Sequence, residues 1–282
     1  MFKYNVLRIF RTWLTIMEFS HDETVKLFHG DCLAILKTLP SSSVQLFLCD
    51  LPYGMLNKSR GHAKRCDRTI DLSALWSELK RIGKPNAAFV FFASGMFTHD
   101  LIESNRKDFK YTLVWDKQTT SGFLNAKKQP LRQHEDIVVF YAKQCVYNPQ
   151  FTKGTPSHIR GANATGNGDN IYGAYKMATT KKFTDDKYPT SILSFYKNKH
   201  KCKHPSEKPT NILEWLINTY SNEGDIVCDP TMGSGSCGEA CMNTGRRFIG
   251  IELDATWYDY SANRLKYRVN GIEPLNMSTD GE

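Results

Sequence analysis

The sequence predicts an α/β protein with a mostly parallel sheet covered by helices on both faces, on three observations. Short apolar runs rich in β-forming residues recur along the chain, at 25–29, 44–49, 87–93, 111–115, 137–141, 226–229 and 247–251. Stretches with helical periodicity lie between several of these runs. The runs are nearly continuous in apolar residues rather than alternating, which is typical of strands buried on both faces. Ligands of such sheets bind beyond the carboxyl ends of the strands, so residues that follow strands are the first site candidates.

Two of the intervening stretches carry a one-sided apolar pattern with helical spacing. The first is formed by Leu72, Leu75, Trp76, Leu79 and Ile82, and the second by Ile212, Leu213, Leu216, Ile217 and Tyr220. The second follows Pro209, a residue suited to a first helical turn. Shorter helices are expected over 32–39 and 237–244. The start of the chain, 1–17, mixes three basic residues with apolar ones and indicates either a short amphipathic helix or an upstream extension.

Length and composition restrict the class of protein. The chain has 282 residues, of which 40% are hydrophobic and 23% charged, with a mean hydropathy of −0.46. These values are typical of a globular protein with one large domain, or one domain that carries an insert. No apolar run approaches the ~20 residues that cross a membrane. Several of the eight cysteines lie inside apolar runs, which favours reduced thiols and a cytoplasmic protein over a disulfide framework.

The positive charge is concentrated in one segment. The net charge is +8, and residues 144–203 contain ten Lys or Arg against three Asp, so they carry +7 of it. Eight aromatic residues are interleaved with these cations. Cations that neutralise phosphates, together with rings that stack on bases, favour a nucleic-acid partner. A solvated basic loop explains the charge alone equally well.

A glycine-rich turn follows the run at 226–229. It reads Asp229-Pro-Thr-Met-Gly233-Ser-Gly235-Ser, and Glu252 stands at the tip of the next strand. Glycines at such a turn let backbone N–H groups approach a ligand, and a carboxylate at the next strand tip is suited to ribose hydroxyls. With Gly238, the spacing also fits a dinucleotide fingerprint. An NAD enzyme is disfavoured because the acid Asp229 would repel a pyrophosphate and would suit a cationic ligand.

A second turn, Asp50-Leu51-Pro52-Tyr53, follows the run at 44–49. An aromatic amine is a poor nucleophile because its lone pair is drawn into the ring. Two acceptors on its N–H groups favour a pyramidal nitrogen that can attack a methyl group. The Asp50 carboxylate offers one acceptor and the Leu51 carbonyl, directed by Pro52, the other, while Tyr53 can stack on the base. Taken alone, the same four residues are more often a plain β-turn.

Four segments in order resemble the β-class DNA amino-methyltransferases. They are Asp50-Leu51-Pro52-Tyr53, His204-Pro-Ser-Glu-Lys208-Pro-Thr, Asp229-Pro-Thr-Met-Gly-Ser-Gly-Ser and Phe248-Ile-Gly-Ile-Glu252. The opening His29-Gly-Asp31-Cys-Leu is also similar to the family, and the resemblance spans residues 25 to about 268. In this family the catalytic motif precedes the cofactor motif, and the target-recognition region lies between them.

The resemblance implies a circularly permuted, seven-stranded, Rossmann-like methyltransferase sheet with an inserted target-recognition region. It implies that Asp229, Gly233 and Gly235 line the site of S-adenosylmethionine and that Glu252 takes its ribose. It also implies that Asp31 reaches the adenine amine of the cofactor and that Lys208 lies beside its methionine tail. The expected activity is site-specific methylation of adenine N6 in double-stranded DNA, as in restriction-modification systems.

The chain departs from the family at one catalytic position. Leu51 stands where the family usually has proline, and because the contact there is a main-chain carbonyl we expect activity to survive. Asp at the first position goes more often with adenine, and N4 of cytosine stays open as a target of the same clamp. An RNA substrate stays open as well, as does a non-catalytic DNA-binding protein on the same scaffold.

The resemblance also divides the chain. An extension of unknown role (1–19) precedes the catalytic half (20–143), the basic insert (144–203), the cofactor half (204–270) and a tail (271–282). The cations expected to contact DNA are Lys127, Lys128, Lys153, Arg160, Lys181 and Lys182. We expect no membrane partner, and a homodimer is left open. A zinc site at His200-Lys-Cys202-Lys-His204 is disfavoured because the cluster lacks a paired Cys-x-x-Cys and His204 belongs to the family motif.

Overall fold

The computed structural model describes residues 3–8, 15–21, 24–54, 69–154, 185–197 and 207–269. The strands are β1 (Lys3–Arg8), β2 (Thr15–His21), β3 (Val25–His29), β4 (Val44–Cys49), β5 (Gly83–Ala93), β6 (Phe109–Ser121), β7 (Arg132–Phe140), β8 (Thr152–Lys153), β9 (Asp186–Lys187), β10 (Ile192–Ser194), β11 (Ile226–Asp229) and β12 (Arg247–Glu252). The helices are α1 (Cys32–Leu36), α2 (Leu72–Ile82), α3 (Met96–Ser104), α4 (Thr210–Tyr220), α5 (Ser236–Asn243) and α6 (Ala255–Val269).

One sheet of ten strands organises the larger of two compact units, in the order β1-β2-β3-β12-β11-β4-β5-β7-β6-β10. The seven predicted strands are all present and lie side by side in it, from β3 to β6. The five strands from β3 to β5 run parallel, and β7 runs antiparallel to both β5 and β6. The α/β class and the mostly parallel sheet are therefore confirmed.

Helices cover both faces of this sheet. Buried residues of β4 alternate between the two faces, Leu46 and Leu48 on one side and Phe47 and Cys49 on the other. On the first side they join a core with α4, α5 and α6, and on the second a core with α1, α2 and α3. Burial on both faces explains why the strand sequences are continuous in apolar residues.

The start of the chain corrects one expectation drawn from its sequence. Residues 3–8 and 15–21 are strands that pair antiparallel with each other, and the second pairs with β3. The amphipathic helix considered for 1–17 is therefore wrong. The edge of β3 presents unpaired backbone N–H and C=O groups, and these strands satisfy them, which outweighs local helical preference.

The second compact unit spans 149–190 and lies within the predicted insert 144–203. Its described residues form the two-stranded antiparallel sheet of β8 and β9. The ring centroids of Phe151 and Tyr188 lie 4.8 Å apart within this unit. The strand β10, which also falls in the predicted insert, belongs to the main sheet and pairs parallel with β6. Within the described ranges, no helix is both long enough and apolar enough to cross a membrane.

Candidate functional site

Four acidic residues stand in a row at the carboxyl edge of the sheet, one after each of four neighbouring strands. The strands β3, β12, β11 and β4 are adjacent and parallel, and they end at or just before Asp31, Glu252, Asp229 and Asp50, respectively. The sequence predicted functions for all four, and the sheet order brings them together although they span 221 positions in the chain (from 31 to 252). The edge is where α/β sheets bind ligands.

The glycine turn is tied to Glu252 by its backbone. The Gly233 N–H donates to Oε2 of Glu252 at 2.9 Å, and the Asp254 N–H donates to Oε1 at 2.9 Å. Burial raises the pKa of Glu252, and these N–H groups oppose the rise. Each carboxylate oxygen accepts one of these hydrogen bonds and has a further lone pair, which suits a pair of ribose hydroxyls.

The two glycines of the turn are required by its backbone. Gly233 and Gly235 have φ of 51° and 76°, a region that disfavours other residues. A Cβ on Gly235 would also lie 2.9 Å from Cβ of Ser261 in α6. The turn therefore keeps its N–H groups at the sheet edge because neither position carries a side chain.

Asp229 is almost completely buried beneath this turn. Its Oδ1 accepts a hydrogen bond from the Thr231 N–H at 3.0 Å. Burial, together with the negative charges of Asp50 and Glu252, raises the pKa of Asp229 to about 8. A cationic ligand would relieve that repulsion, whereas a pyrophosphate would add to it, so the site favours a ligand with an ammonium group over a dinucleotide.

Asp50 is held by three side chains from separate parts of the chain. The Tyr53 hydroxyl donates to its Oδ1 at 2.9 Å, and Nζ of Lys208 donates to its Oδ2 at 2.7 Å. The Thr231 hydroxyl, from the glycine turn, donates to the Asp50 main-chain carbonyl at 3.0 Å. The two motifs that the sequence singled out therefore form one continuous site.

The rest of the Asp50 turn rests on the core. The Leu51 side chain is 3% exposed and packs among the core residues beneath the turn. This packing anchors the peptide at the position where the family usually has proline, and Pro52 restrains the residue before it. The Tyr53 ring stacks on Phe97 of α3, with centroids 4.9 Å apart. Phe97 is a site residue that no sequence signal indicated.

A line of alternating charges continues from Asp50 into the hairpin of β6 and β7. Nζ of Lys208 lies 3.4 Å from Oε2 of Glu135, and Nζ of Lys117 lies 3.2 Å from Oε1 of Glu135. Although burial opposes both shifts, the neighbouring charges lower the pKa of Glu135 and raise the pKa of Lys208. The resemblance implied a place for Lys208 beside the cofactor tail, and the structure gives its ammonium direct contacts with Asp50 and Glu135.

Lys117 was missed by the sequence analysis, although a signal for it existed. The buried positions of β6 alternate through Leu113 and Trp115 to Lys117, which is 6% exposed. A charged residue at the inward phase of an alternating strand indicates a buried ion pair. Thr231 had no comparable signal, because its contact with Asp50 depends on the pairing of β11 with β4.

Asp31 lies at the opposite end of the row of acids. It is exposed and caps α1, where its Oδ1 accepts a hydrogen bond from the Ala34 N–H at 3.0 Å. The Gly30 N–H donates to the Glu252 carbonyl at 2.9 Å, which fixes this turn next to the glycine turn. The position is compatible with its expected contact with a cofactor, and the capping bond explains part of its presence.

The cations expected to contact DNA differ in their surroundings. Lys127 and Lys128 are exposed in the connection between β6 and β7. Lys153 forms ion pairs with Asp185 at 2.9 Å and Asp186 at 2.6 Å, so its charge is compensated within the second unit. Because of those two carboxylates, the structure does not favour Lys153 as a phosphate ligand. The remaining three, Arg160, Lys181 and Lys182, lie outside the described residues.

The described part of the chain offers no metal site among its cysteines and histidines. The zinc cluster that the sequence disfavours, at 200–204, lies outside the described residues. Cys237 and Cys241 are buried in α5, against α4 and α6. Within the described ranges, no group of three or more potential metal ligands is present.

Comparison with known proteins gives matches over most of the chain. Residues 44–263 match the N6/N4 methyltransferase family, which is described as DNA methylase. The DNA adenine methyltransferase YhdJ of Escherichia coli K12 is 28% identical over 255 residues, covering 86% of this chain and 83% of that protein. The type II methyltransferase M.HpaI of Haemophilus parainfluenzae is 26% identical over 265 residues, covering 89% of this chain and 77% of that one.

The fold is shared with solved structures. The crystal structure of the M1.HpyAVI–SAM complex matches with a TM-score of 0.57 and 23% sequence identity. The match covers 86% of this chain and 100% of that one. The similarity shows the same architecture of sheet and helices.

Proposed function

Because this chain belongs to the DNA methylase family of N6/N4 methyltransferases, we propose that it methylates N6 of adenine in double-stranded DNA at a short specific site. The methyl donor is S-adenosylmethionine. The observation that carries the proposal is the bond from the Thr231 hydroxyl to the Asp50 carbonyl at 3.0 Å. It joins the turn that would grip the base to the turn that would hold the methyl donor, so both substrates meet at one place.

The glycine turn and its acids fit the methyl donor. When bound, S-adenosylmethionine supplies a methyl group on a positively charged sulfur, which an amine nitrogen can attack. Glu252 would accept hydrogen bonds from the ribose, and Asp229 would pair with the ammonium of the methionine part. Gly233 and Gly235 leave room for the ligand against the backbone, and Asp31 would bind the adenine amine. The raised pKa of Asp229 supports this assignment because a neighbouring cation stabilises its ionised form.

The Asp50 turn fits the accepting base. Each oxygen of the Asp50 carboxylate accepts one hydrogen bond, from Tyr53 or from Lys208, and can still accept another from the base amine. The Leu51 carbonyl is the second acceptor proposed for that amine. As the nitrogen forms its bond to the methyl carbon, the carbon–sulfur bond breaks and the amine must lose a proton. The Asp50 carboxylate is the nearest base placed to accept it.

Tyr53 and Lys208 prepare this carboxylate for its role. Tyr53 would present a ring face to the extruded base while Phe97 supports the ring from behind. Lys208 holds Oδ2 and thereby fixes the rotation of the carboxylate, which is a requirement for two simultaneous contacts with one amine. Glu135 in turn holds Lys208 in place.

Two observations favour adenine over cytosine as the target base. Asp stands at the first position of the turn, and YhdJ, a relative at 28% identity, is a DNA adenine methyltransferase. N4 of cytosine is an exocyclic amine of the same kind, and the family includes enzymes for both. DNA as the substrate places the protein in the compartment that contains DNA, which in bacteria is the cytoplasm.

Mapping of modified bases tests the proposal. Mixed-sequence DNA is incubated with the protein and labelled S-adenosylmethionine, digested to nucleosides and sequenced for modified positions. We expect N6-methyladenine within one short sequence, and we expect the Asp50→Ala variant to incorporate no label. N4-methylcytosine would overturn the choice of base. Absence of label with the unaltered protein would leave the scaffold as a non-catalytic DNA-binding protein.

A further inference from the structure

The connection between β6 and β7, residues 122–131, exposes an unusual pair of apolar side chains. We call this segment the hairpin tip. Phe123 is 76% exposed and Leu124 is 84% exposed, the highest values of any large apolar residue among the described residues from 24 onward. Two adjacent apolar residues in water carry a hydrophobic cost that burial in a partner would recover.

The hairpin tip has a defined local structure that holds these residues outward. Gly122 has φ of 84° and starts a 3₁₀ turn over Phe123–Asn125. The Lys128 and Gln129 N–H groups donate to the Asn125 carbonyl at 2.8 and 3.0 Å, which closes the turn. The apolar pair is therefore held outward by a hydrogen-bonded turn.

The stem of the hairpin places the tip next to the site. The strands β5 and β6 both run antiparallel to β7, so β6 ends at the same sheet edge as the row of acids. At the stem, Nη1 of Arg132 donates to Oγ of Ser94 at 3.1 Å, directly after β5. Deeper in the stem, Lys117 and Glu135 connect to Lys208 and Asp50. Beyond that ion pair β6 bulges between Asp116 and Ser121, so the hairpin extends only by the three residues of β7 from Glu135 to Arg132, ~10 Å at ~3.3 Å per residue.

Two cations accompany the apolar pair. Lys127 and Lys128 are exposed in the hairpin tip, and neither forms an ion pair with another described residue. Apolar side chains flanked by cations match a duplex opened at one base step, since the base planes are apolar and the flanking phosphates are anionic. Extrusion of a base from a duplex costs a few kcal/mol and leaves a gap in the stack. A side chain that fills the gap offsets part of that cost.

From these observations we infer that the hairpin tip is a DNA wedge. Phe123 and Leu124 enter the gap left by the extruded base, and Lys127 and Lys128 bind the phosphates on either side. The inference rests on the proposed function, because the base must leave the stack to reach Asp50. It assigns to the hairpin the step that delivers the base, which the row of acids alone does not explain.

The test compares paired and unpaired target bases. The double variant Phe123→Ser with Leu124→Ser is assayed on a duplex with the mapped site and on the same duplex with a mismatch opposite the target base. We expect kcat/KM on the matched duplex to fall at least about tenfold, the equivalent of ~1.4 kcal/mol, and on the mismatched duplex to fall less than about threefold. An equal loss on both duplexes, or no loss on either, would overturn the wedge.

A second measurement does not depend on turnover. The slope of log binding constant against log salt concentration should fall by about 2 in the Lys127→Gln, Lys128→Gln variant, because two phosphate contacts are lost. Lys143→Gln, an exposed lysine past the opposite end of β7, should leave the slope unchanged. An unchanged slope in the first variant would overturn the phosphate contacts. If the unaltered protein methylates no DNA, the proposed function fails, and this slope still decides whether the tip binds DNA.

Discussion

Nζ of Lys208 lies 2.7 Å from Oδ2 of Asp50, although the two residues are 158 positions apart in the chain. The lysine side chain is 6% exposed and also lies 3.4 Å from Oε2 of Glu135 and 5.1 Å from the centre of the Phe92 ring. One buried ammonium therefore serves two carboxylates. Its removal would leave both without their shared counter-charge in a place that water reaches poorly.

The variant Lys208→Gln should lose both stability and activity. Breaking a buried ion pair by removal of one partner costs ~3–5 kcal/mol, and we expect the free energy of unfolding to fall by about that amount. We expect kcat to fall at least about 100-fold because Asp50 loses its fixed orientation. Urea unfolding and labelled methyl transfer measure the two effects. Lys110→Gln, an exposed lysine over the Tyr141 ring, is the control and should change neither.

The hydroxyl of Thr231 should matter for turnover more than for cofactor binding. Thr231→Val removes the donor to the Asp50 carbonyl and keeps the shape of the side chain, and the hydrogen bond from the residue 231 N–H to Asp229 remains. We expect kcat to fall about tenfold, stability to fall by ~1 kcal/mol and KM for S-adenosylmethionine to change little. Steady-state kinetics check this. Thr231→Ser restores the hydroxyl and should restore kcat, and failure to do so would contradict the role of this bond.

Asp229→Asn should gain stability over the unaltered protein as the pH rises. Because the pKa of Asp229 is raised from 3.8 to about 8 in the folded chain, its contribution to stability is fully present below pH 3.8 and is lost as the pH rises through 8. The asparagine variant escapes this loss. Its advantage in melting temperature should grow from pH 4 to pH 8 and then level off, while its affinity for S-adenosylmethionine falls.

Thermal unfolding across this pH range, with calorimetric binding of S-adenosylmethionine, measures both parts. Asp100→Asn, which removes an exposed carboxylate on α3, is the control variant. An advantage that is constant with pH would show that the Asp229 carboxyl ionises normally in the folded chain.

Two glycines with positive φ allow the cost of backbone strain to be separated from the cost of a steric clash at the new Cβ. Gly235→Ala combines a left-handed backbone, with φ of 76°, and a Cβ only 2.9 Å from Ser261, whereas Gly122→Ala has the same left-handed backbone, with φ of 84°, and open space around the new Cβ. We expect Gly122→Ala to cost ~1 kcal/mol and Gly235→Ala to cost at least ~1 kcal/mol more. Chemical denaturation compares them. The Gly235 variant should also weaken cofactor binding, and equal costs would contradict the contact with α6.

The seven central strands could be predicted because each is an apolar run long enough to be recognised by itself. Neither β1 nor β2 could be, since their pairing depends on the free edge of β3 rather than on their own pattern. Three of the four acids, Asp50, Asp229 and Glu252, were found because each follows a strand, and Asp31 was found through the family resemblance. Their order along the edge, and with it the contact between Thr231 and Asp50, required the sheet order.

Charge and hydropathy in the sequence did not show which exposed residues are available to DNA. The sequence predicted Lys127, Lys128 and Lys153 alike as DNA contacts. Only the fold shows that Asp185 and Asp186 compensate Lys153. The exposure of Phe123 and Leu124 was equally hidden, because an apolar pair in a sequence normally indicates burial.

The pair of Lys117 and Glu135 sets a boundary for chimeras that exchange the hairpin tip between relatives. Junctions at Ser121 and Arg132 would transplant the hairpin tip and leave Glu135 with both of its lysines. Junctions lower in the strands would replace Glu135, and Lys208 would then lose one of its two carboxylates, so we expect such chimeras to turn over slowly. The useful unit of exchange is therefore shorter than the hairpin.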